Sequence, residues 1–301
     1  MTGATGFVGG ALVRLLIEAG SVVRVLIRDP RKFEAFHPNI KIVKGDLTDS
    51  VALQALTEEA SAFLHLAGVT HARDWKTYEA VNLAGAVNAA DAAKRHGVRF
   101  VFASSLSARE PDVSPYARSK RDAEEALAGE AVSMRLPAIY GPGDVHALPL
   151  FKLAKAGFAV EPMTEPPARF SLLYVDDAAK ALIKAADASC DKAVYEVNDD
   201  QVDGRSWADV GEVLAGVLGR KTRRLRAPRF VIAAQHSLAL AGAALTRRAP
   251  SVRPGQIDEF FHPDWVARNN LFGPATGWRP ETDIEEGFAK TVRWYQKGGL
   301  L

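Results

Sequence analysis

An α/β fold built on a doubly wound parallel sheet is predicted for this 301-residue chain by three observations. Short apolar runs alternate with helix-period segments through the first half. A glycine-rich turn opens the chain and leads straight into an aliphatic helix. The polar clusters with chemical potential all fall at the carboxyl ends of the apolar runs, the edge where open α/β sheets bind ligands. A small, mostly helical C-terminal lobe is expected to close a cleft over that edge.

The runs Val22 to Ile27, Ile40 to Val43, Ala62 to Leu66, Phe100 to Ala103 and Val132 to Leu136 are apolar without a polar face, as buried parallel strands are. Helix-period segments lie between them at roughly 8–19, 50–59, 75–96 and 116–129. After Gly141-Pro142-Gly143 the rhythm changes, and Pro149, Pro162, Pro166 and Pro167 mark a loop-rich stretch. Tyr174-Val175-Asp176-Asp177-Ala178 reads as a strand entering a helix, Val194 to Val197 as a strand, and 206–218, 229–246 and 282–297 as helices. Residues 1–140 with about 172–200 are expected to form the sheet domain, and about 141–171 with 201–301 the second lobe. Only Met1 and Thr2 precede the first glycine, so the central strand should be largely missing or supplied by residues not shown, as with a start codon assigned too late.

A composition 48% hydrophobic and 25% charged is that of an ordinary soluble protein. A net charge of +2 gives no reason to expect a nucleic-acid partner. A single cysteine, Cys190, rules out an internal disulfide and suits a reducing cytoplasm. With the glycine turn starting at the second residue, no secretory leader is expected.

In Thr2-Gly3-Ala4-Thr5-Gly6-Phe7-Val8-Gly9-Gly10 the glycines at 3, 6 and 9 suit three tasks of a dinucleotide site. One permits the tight turn, one lets the backbone approach a pyrophosphate, and one lets the helix pack close to the sheet. The free N–H groups and positive dipole end of the following helix face the phosphates. Such a turn also merely joins strands to helices. It gains weight from Tyr116 and Lys120, four apart on one helical face, and from Ser104-Ser105 ending the strand before them. An ammonium held near a phenol of ordinary pKa about 10 favours the phenolate and brings it into range for acid–base work. Lys120 is also placed to hold a nicotinamide ribose, and Ser105 to donate a hydrogen bond to a substrate carbonyl. The plain alternative is a solvated helix face.

At these residues the chain resembles the extended short-chain dehydrogenases/reductases, which include sugar-nucleotide epimerases and dehydratases, hydroxysteroid dehydrogenases and dihydroflavonol-type reductases. The resemblance rests on the glycine turn and on Gly45-Asp46-Leu47-Thr48-Asp49, His65-Leu66-Ala67-Gly68, Asn82-Leu83-Ala84-Gly85 and Ser104-Ser105. It continues through Tyr116-Ala117-Arg118-Ser119-Lys120, Arg135 to Asp144, Tyr174-Val175-Asp176-Asp177 and Gly277-Trp278-Arg279-Pro280. It implies a Rossmann-type sheet and a nicotinamide cofactor held by Gly3, Thr5, Gly6, Phe7, Val8 and Gly9. Asp46 would bind the adenine amino group, Leu47 would stack on the ring, and Ala67 and Gly68 would pass beside ribose and pyrophosphate. Pro137, Ala138 and Ile139 would contact the carboxamide, Tyr116 and Lys120 would touch cofactor as well as substrate, and Ser105, Tyr116 and Lys120 would be catalytic. A homodimer through helices 75–96 and 116–129 is also implied. Apart from the resemblance, Asp46 is equally placed to cap the helix starting near Ser50.

The choice of dinucleotide turns on Arg28. An acidic residue there would bind a free ribose 2′-hydroxyl, whereas a guanidinium receives a 2′-phosphate, and Lys32 would add charge. NADP is therefore expected over NAD, with Asp29 keeping NAD open through a one-residue shift.

Two departures weigh against a nucleotide-sugar substrate: the short connection Leu106 to Pro115, and Arg135-Leu136-Pro137-Ala138 without an asparagine after the arginine. The leading expectation is NADP(H)-dependent oxidoreduction of a carbonyl/alcohol pair on a small-molecule substrate. Nucleotide-sugar epimerisation or dehydration with recycled cofactor, and a non-catalytic NADPH-binding assembly protein, stay open. The basic run 220–226 with the apolar helix that follows to 248 reads as a helix packed on its own lobe and flanked by solvated arginines, with a membrane-surface contact as the alternative. His65, His71 and His96 are read as structural, no metal is expected, and His146 is placed to line the cleft.

Overall fold

The computed structural model describes residues 1–33, 37–72, 74–187, 190–234, 237 and 253–301. In chain order the strands are β1 (Val23–Ile27), β2 (Ile40–Lys44), β3 (Ala62–His65), β4 (Arg99–Ser105), β5 (Ala131–Leu136), β6 (Ala138–Tyr140), β7 (Phe158–Pro162), β8 (Arg169–Phe170), β9 (Leu172–Tyr174) and β10 (Val194–Glu196). The helices are α1 (Phe7–Glu18), α2 (Ser50–Thr57), α3 (Trp75–Tyr78), α4 (Gly85–Arg95), α5 (Pro115–Ala126), α6 (Leu148–Lys155), α7 (Val175–Ala185) and α8 (Trp207–Leu218).

Strand β2 pairs parallel with β1, while β3, β4, β5 and β10 form a second parallel set in that order. Met1 and Thr2 stand between the two sets. Thr2 bridges His65 and donates its N–H to the Leu64 carbonyl at 3.1 Å, and the Leu26 N–H donates to the Met1 carbonyl at 3.0 Å. Two residues thus hold the central place of one doubly wound Rossmann-type sheet, at the level from which the glycine turn departs. Strand order reverses there, so ligand is drawn to that crevice.

Both faces of the sheet are covered. Leu12 and Val13 of α1 pack with Ala178 and Leu182 of α7 over Val25, Val101 and Val132. On the other face Leu53 and Leu56 of α2 and Ala86, Ala89 and Ala93 of α4 meet Phe63, Phe100 and Phe102. A third cluster joins Tyr140, Phe151 and Leu214 to Phe288 and Tyr295 of the last helix, Ile284–Lys297, with Phe7 and Val8 packed against it. The C-terminal region is thereby anchored on the helix that follows the glycine turn. Arg135 is held between Glu124 at 2.7 Å and Glu196 at 3.4 Å, and the Glu196 carboxylate accepts the N–H groups of Arg268 and Asn269.

Three expectations are corrected. The helix expected over 75–96 is interrupted by a π-turn at Glu79–Ala84. The stretch read as loop after Gly143 contains α6, with Pro149 in its first turn, and β7, which ends at Pro162. The basic run lies partly in an exposed strand, Arg223–Ala227, pairing with β7; Arg226 meets Glu161 at 3.5 Å, and Arg224 is bonded to Glu212. The helix expected over 229–246 is described only at 229–234 and 237, the remainder lying outside the described residues. No helix among the described residues is long and apolar enough to cross a membrane.

His65 is buried beneath Thr2, with Nδ1 at 3.0 Å from the Thr2 hydroxyl and Nε2 without a partner among the described residues. Burial, and next the Lys120 ammonium, hold its pKa down at about 3. The folded pKa is below the unfolded one, so its contribution is complete above pH about 6.5 and is lost as pH falls towards 3. By pH 4.5 the loss is expected to reach about 2–3 kcal/mol. Urea midpoints measured against pH should fall over this window, and fall less steeply in His65→Phe, which removes the titrating ring nitrogens.

Candidate active site

The glycine turn is dictated by backbone proximity. Gly3 has φ +74°, and a Cβ there would stand 2.6 Å from the Leu66 carbonyl carbon. At Gly9 a Cβ would lie 2.0 Å from the Gly3 carbonyl oxygen, so this first turn of α1 touches the backbone that feeds it. Gly6 is the N-cap of α1 and carries no side-chain cap, and the first helical turn has no acidic residue. The Gly6 N–H is taken by the Gly3 carbonyl at 3.0 Å, so exposed Thr5 with half-buried Phe7 and Val8 offers the amide donors, and α1 its positive dipole end, to the crevice, as a pyrophosphate requires.

Around this turn the other strand ends converge. Exposed Arg28 follows β1, and its charge contributes to holding the Asp46 carboxyl below its usual range, behind the larger effect of the Thr48 hydroxyl and amide. Asp29 caps the short 3-10 turn Pro30–Lys32 and binds the Arg31 guanidinium at 2.9 Å; the Lys32 side chain lies outside the described residues. Asp49, not Asp46, caps α2, while Asp46 accepts from the Thr48 amide at 2.8 Å. Leu47 is pressed against Gly85 of α4, where a Cβ would meet its Cδ1 at 2.6 Å. Ala67 donates its N–H to the Thr2 hydroxyl at 3.1 Å, and Gly68 lies beside Asn82 and Lys120.

Ser114 caps α5 through the Ala117 N–H, and Pro115 takes its first position, so Tyr116 and Lys120 sit in its opening turns. Ser105 ends β4, its hydroxyl 2.8 Å from that of Ser107 and hydrogen-bonded to the Tyr116 phenol. The Lys120 ammonium donates to the Ala103 carbonyl at 2.8 Å, lies 4.8 Å from the Phe102 ring centre, and would be 3.5 Å from a Cβ on Gly68. Burial brings its pKa down to about 8. The expected acidic phenol is corrected: burial pushes the Tyr116 pKa above its ordinary value, outweighing the Ser105 hydrogen bond and the Arg253 charge that act the other way. Tyr116 and Ser105 meet at one end of a cavity of about 290 Å³, together with Pro137 and Ala138; Ile139 follows in β6.

Residues not singled out in the sequence complete the site. Asn82, in the π-turn, accepts from the Val69 N–H at 2.8 Å and donates to the Ser119 hydroxyl at 2.9 Å, tying the Gly68 loop to the helix that carries Lys120. Its place in Asn82-Leu83-Ala84-Gly85 was the available signal. Phe170, Trp207, Phe260 and Trp265 also line the cavity. The cavity's two arginines are engaged: Arg169 donates to the carbonyls of Asp203 at 2.7 Å and Gly204 at 2.9 Å, and Arg253 pairs with Glu259. His71 and His146 stack with ring centres 5.3 Å apart.

The profile of the NAD dependent epimerase/dehydratase family matches residues 1–197. The chain belongs to that family. It is accordingly an NAD(P)-dependent enzyme of the extended short-chain dehydrogenase/reductase type. It is 38% identical over 313 residues to a ceramide reductase of Caulobacter vibrioides, covering 100% of this chain and 95% of that one. A 2-alkyl-3-oxoalkanoate reductase of Stenotrophomonas maltophilia is 26% identical, with 96% and 97% covered. In fold it is similar to the Bordetella bronchiseptica enzyme WbmG in complex with NAD and UDP, with TM-score 0.73, 19% identity, and 99% and 94% of the two chains covered.

Proposed function

We propose that this family member reduces a ketone on a ceramide-like lipid, with NADPH as the reductant. The observation that carries the reading is the Ser105–Tyr116 hydroxyl pair, placed between the Lys120–Gly68 side of the crevice and a cavity faced with aromatic rings. Aromatic walls suit acyl chains. Arginines already satisfied by backbone carbonyls and by Glu259 leave poor ligands for a nucleotide diphosphate, whose charge would need unengaged guanidinium groups. Kinship with a ceramide reductase along the whole chain supports the same substrate class.

In this reading residues 1–140 with about 172–200 hold the cofactor and the remainder holds the lipid. The amides around Gly3, Thr5, Gly6, Phe7, Val8 and Gly9 bind the pyrophosphate, Asp46 and Leu47 the adenine, and Ala67 and Gly68 the backbone of the dinucleotide. Pro137, Ala138 and Ile139 face the carboxamide, and Lys120 the adjoining ribose. The reduced nicotinamide, when bound, supplies hydride. Ser105 orients the ketone oxygen through its hydroxyl, and Tyr116 donates the proton that turns the developing alkoxide into an alcohol. A phenol kept protonated by burial is poised for that direction at neutral pH.

The test is NADPH oxidation with a keto-ceramide in detergent micelles. Stoichiometric loss of NADPH is expected; no loss, with interconversion of a UDP-sugar instead, contradicts the reading. Asp29 is occupied by Arg31, so Arg28 is assigned to the 2′-phosphate. Arg28→Ala is expected to reduce the preference for NADPH over NADH by roughly tenfold, about 1.4 kcal/mol, read from the two dissociation constants. An unchanged ratio would remove Arg28 from that role.

A further inference from the structure

The guanidinium of Arg253 lies over the ring of Tyr116, its central carbon 5.1 Å from the ring centre. Both residues border the cavity, and only 11% of the Arg253 side chain is exposed. Arg253 reaches this position from the segment just before the short helix Gln256–Phe260, which supplies its counter-ion. The fork pairs with both oxygens of Glu259, Nη1 to Oε1 at 2.7 Å and Nη2 to Oε2. Glu259 also accepts from the hydroxyl of Ser114, the residue that caps the helix carrying Tyr116. Close packing holds the joint together: Gly255 has φ +77°, and a Cβ there would fall 2.4 Å from the Ser114 Cβ. The Trp265 indole fixes the same helix by donating to the Glu259 carbonyl at 2.8 Å.

We propose that Arg253 and Glu259 form an opposed charge pair that sets the acidity and orientation of the Tyr116 phenol, with Arg253 as its positioning residue. This rests on the role given to Tyr116 above. A cation over the ring face stabilises the phenolate. The carboxylate behind it opposes that effect and keeps the guanidinium from swinging into the cavity. Among the described residues the remaining polar and charged neighbours are few. Ser105 bonds the phenol from the end of β4, the Tyr78 ring centre is 6.4 Å from that of Tyr116, and Lys120 on the same helix gives its ammonium to the Ala103 carbonyl. His71, whose pKa is lowered first by burial and then by the Arg253 charge, is stacked on His146. Arg253 is thus the cation that bears directly on the ring, whereas the Lys120 ammonium is held at the sheet. A neutral cavity wall with a poised phenol suits an uncharged lipid ketone, since neither charge is left unpaired when the substrate enters.

The experiment compares Arg253→Gln, Arg253→Lys and Glu259→Gln in two ways. The first is the pH dependence of keto-ceramide reduction. Activity needs the protonated phenol, so the alkaline limb follows the Tyr116 pKa. It is expected to move up by roughly one pH unit in Arg253→Gln, down by roughly one unit in Glu259→Gln, and little in Arg253→Lys. Opposite displacements from the two neutralising variants are beyond what loss of packing produces. The second is an ultraviolet titration of tyrosinate on each protein without substrate, taken as the difference from the same variant carrying Tyr116→Phe. The Tyr116 transition should move in the same two directions. Limbs that stay in place, or move the same way in both neutralising variants, overturn the proposal. Should keto-ceramide prove not to be a substrate, opposite spectral shifts still uphold the charge pair, and a static transition still overturns it.

Discussion

Tyr116→Phe is expected to lower NADPH-dependent ketone reduction by about a thousandfold, within the 10²–10⁴ range of general acid catalysis, while leaving NADPH affinity within about threefold. The substitution removes one oxygen and keeps the ring that meets Tyr78 and lies beneath the Arg253 guanidinium. The pyrophosphate amides of the glycine turn are untouched, so a loss of turnover without loss of cofactor is the signature of a proton donor. The pH dependence has a definite sign. Burial raises the phenol's pKa, so at neutral pH the proton is present and reduction is supported. Oxidation of the corresponding alcohol needs the phenolate and should accelerate as pH rises. Equal kcat in wild type and Tyr116→Phe would show that the proton comes from elsewhere.

Gly9→Ala is expected to remove cofactor binding and destabilise the protein by about 4 kcal/mol, above the usual 1–3 kcal/mol for overpacking. The reason is geometric: the new Cβ would stand 2.0 Å from the Gly3 carbonyl oxygen and 2.8 Å from its carbon, both backbone atoms. Neither can retreat, because Gly3 is itself against the Leu66 backbone and its carbonyl accepts the Gly6 N–H at 3.0 Å. Gly10 is the internal control. A Cβ there meets nothing within 4 Å, so Gly10→Ala should be neutral or slightly stabilising in the helix. Thermal unfolding and NADPH fluorescence titration of the two variants separate these outcomes, and equal behaviour of Gly9→Ala and Gly10→Ala would contradict the packing argument.

What the sequence made legible was local and periodic. Buried parallel strands announce themselves by apolar runs, and the observed β1, β2, β3 and β5 begin or end within one residue of Val22 to Ile27, Ile40 to Val43, Ala62 to Leu66 and Val132 to Leu136. Gly3 and Gly9 declared their turn because no other residue fits such close backbone contact, and at Gly6 a Cβ would stand a tight 3.2 Å from the Gly3 carbonyl oxygen. Elements held by distant partners were not legible. Strand β8 is two residues long and exists because Arg205–Ser206 and Asp264–Trp265 flank it. The π-turn at Glu79–Ala84 leaves no periodic mark in a segment whose composition is helical throughout. Arg253 and Glu259 are six apart, a spacing with no helical signature, and only the fold pairs them and carries them to a tyrosine more than a hundred residues away. The acidity of that tyrosine was misjudged because spacing shows Lys120 one turn away but neither the burial that raises the phenol's pKa nor the Ala103 carbonyl, from another element, that binds the ammonium.

In the proposed function, hydride from NADPH ends on a lipid ketone carbon at the Ser105–Tyr116 pair. It is tested most directly by incubating the enzyme with a keto-ceramide and NADPH carrying deuterium at the transferable position, then weighing the recovered lipid by mass spectrometry. The expected product is an alcohol with one deuterium per molecule of NADPH consumed, and almost none from Tyr116→Phe. Unchanged keto-ceramide with undiminished NADPH, or an alcohol without deuterium, would contradict it.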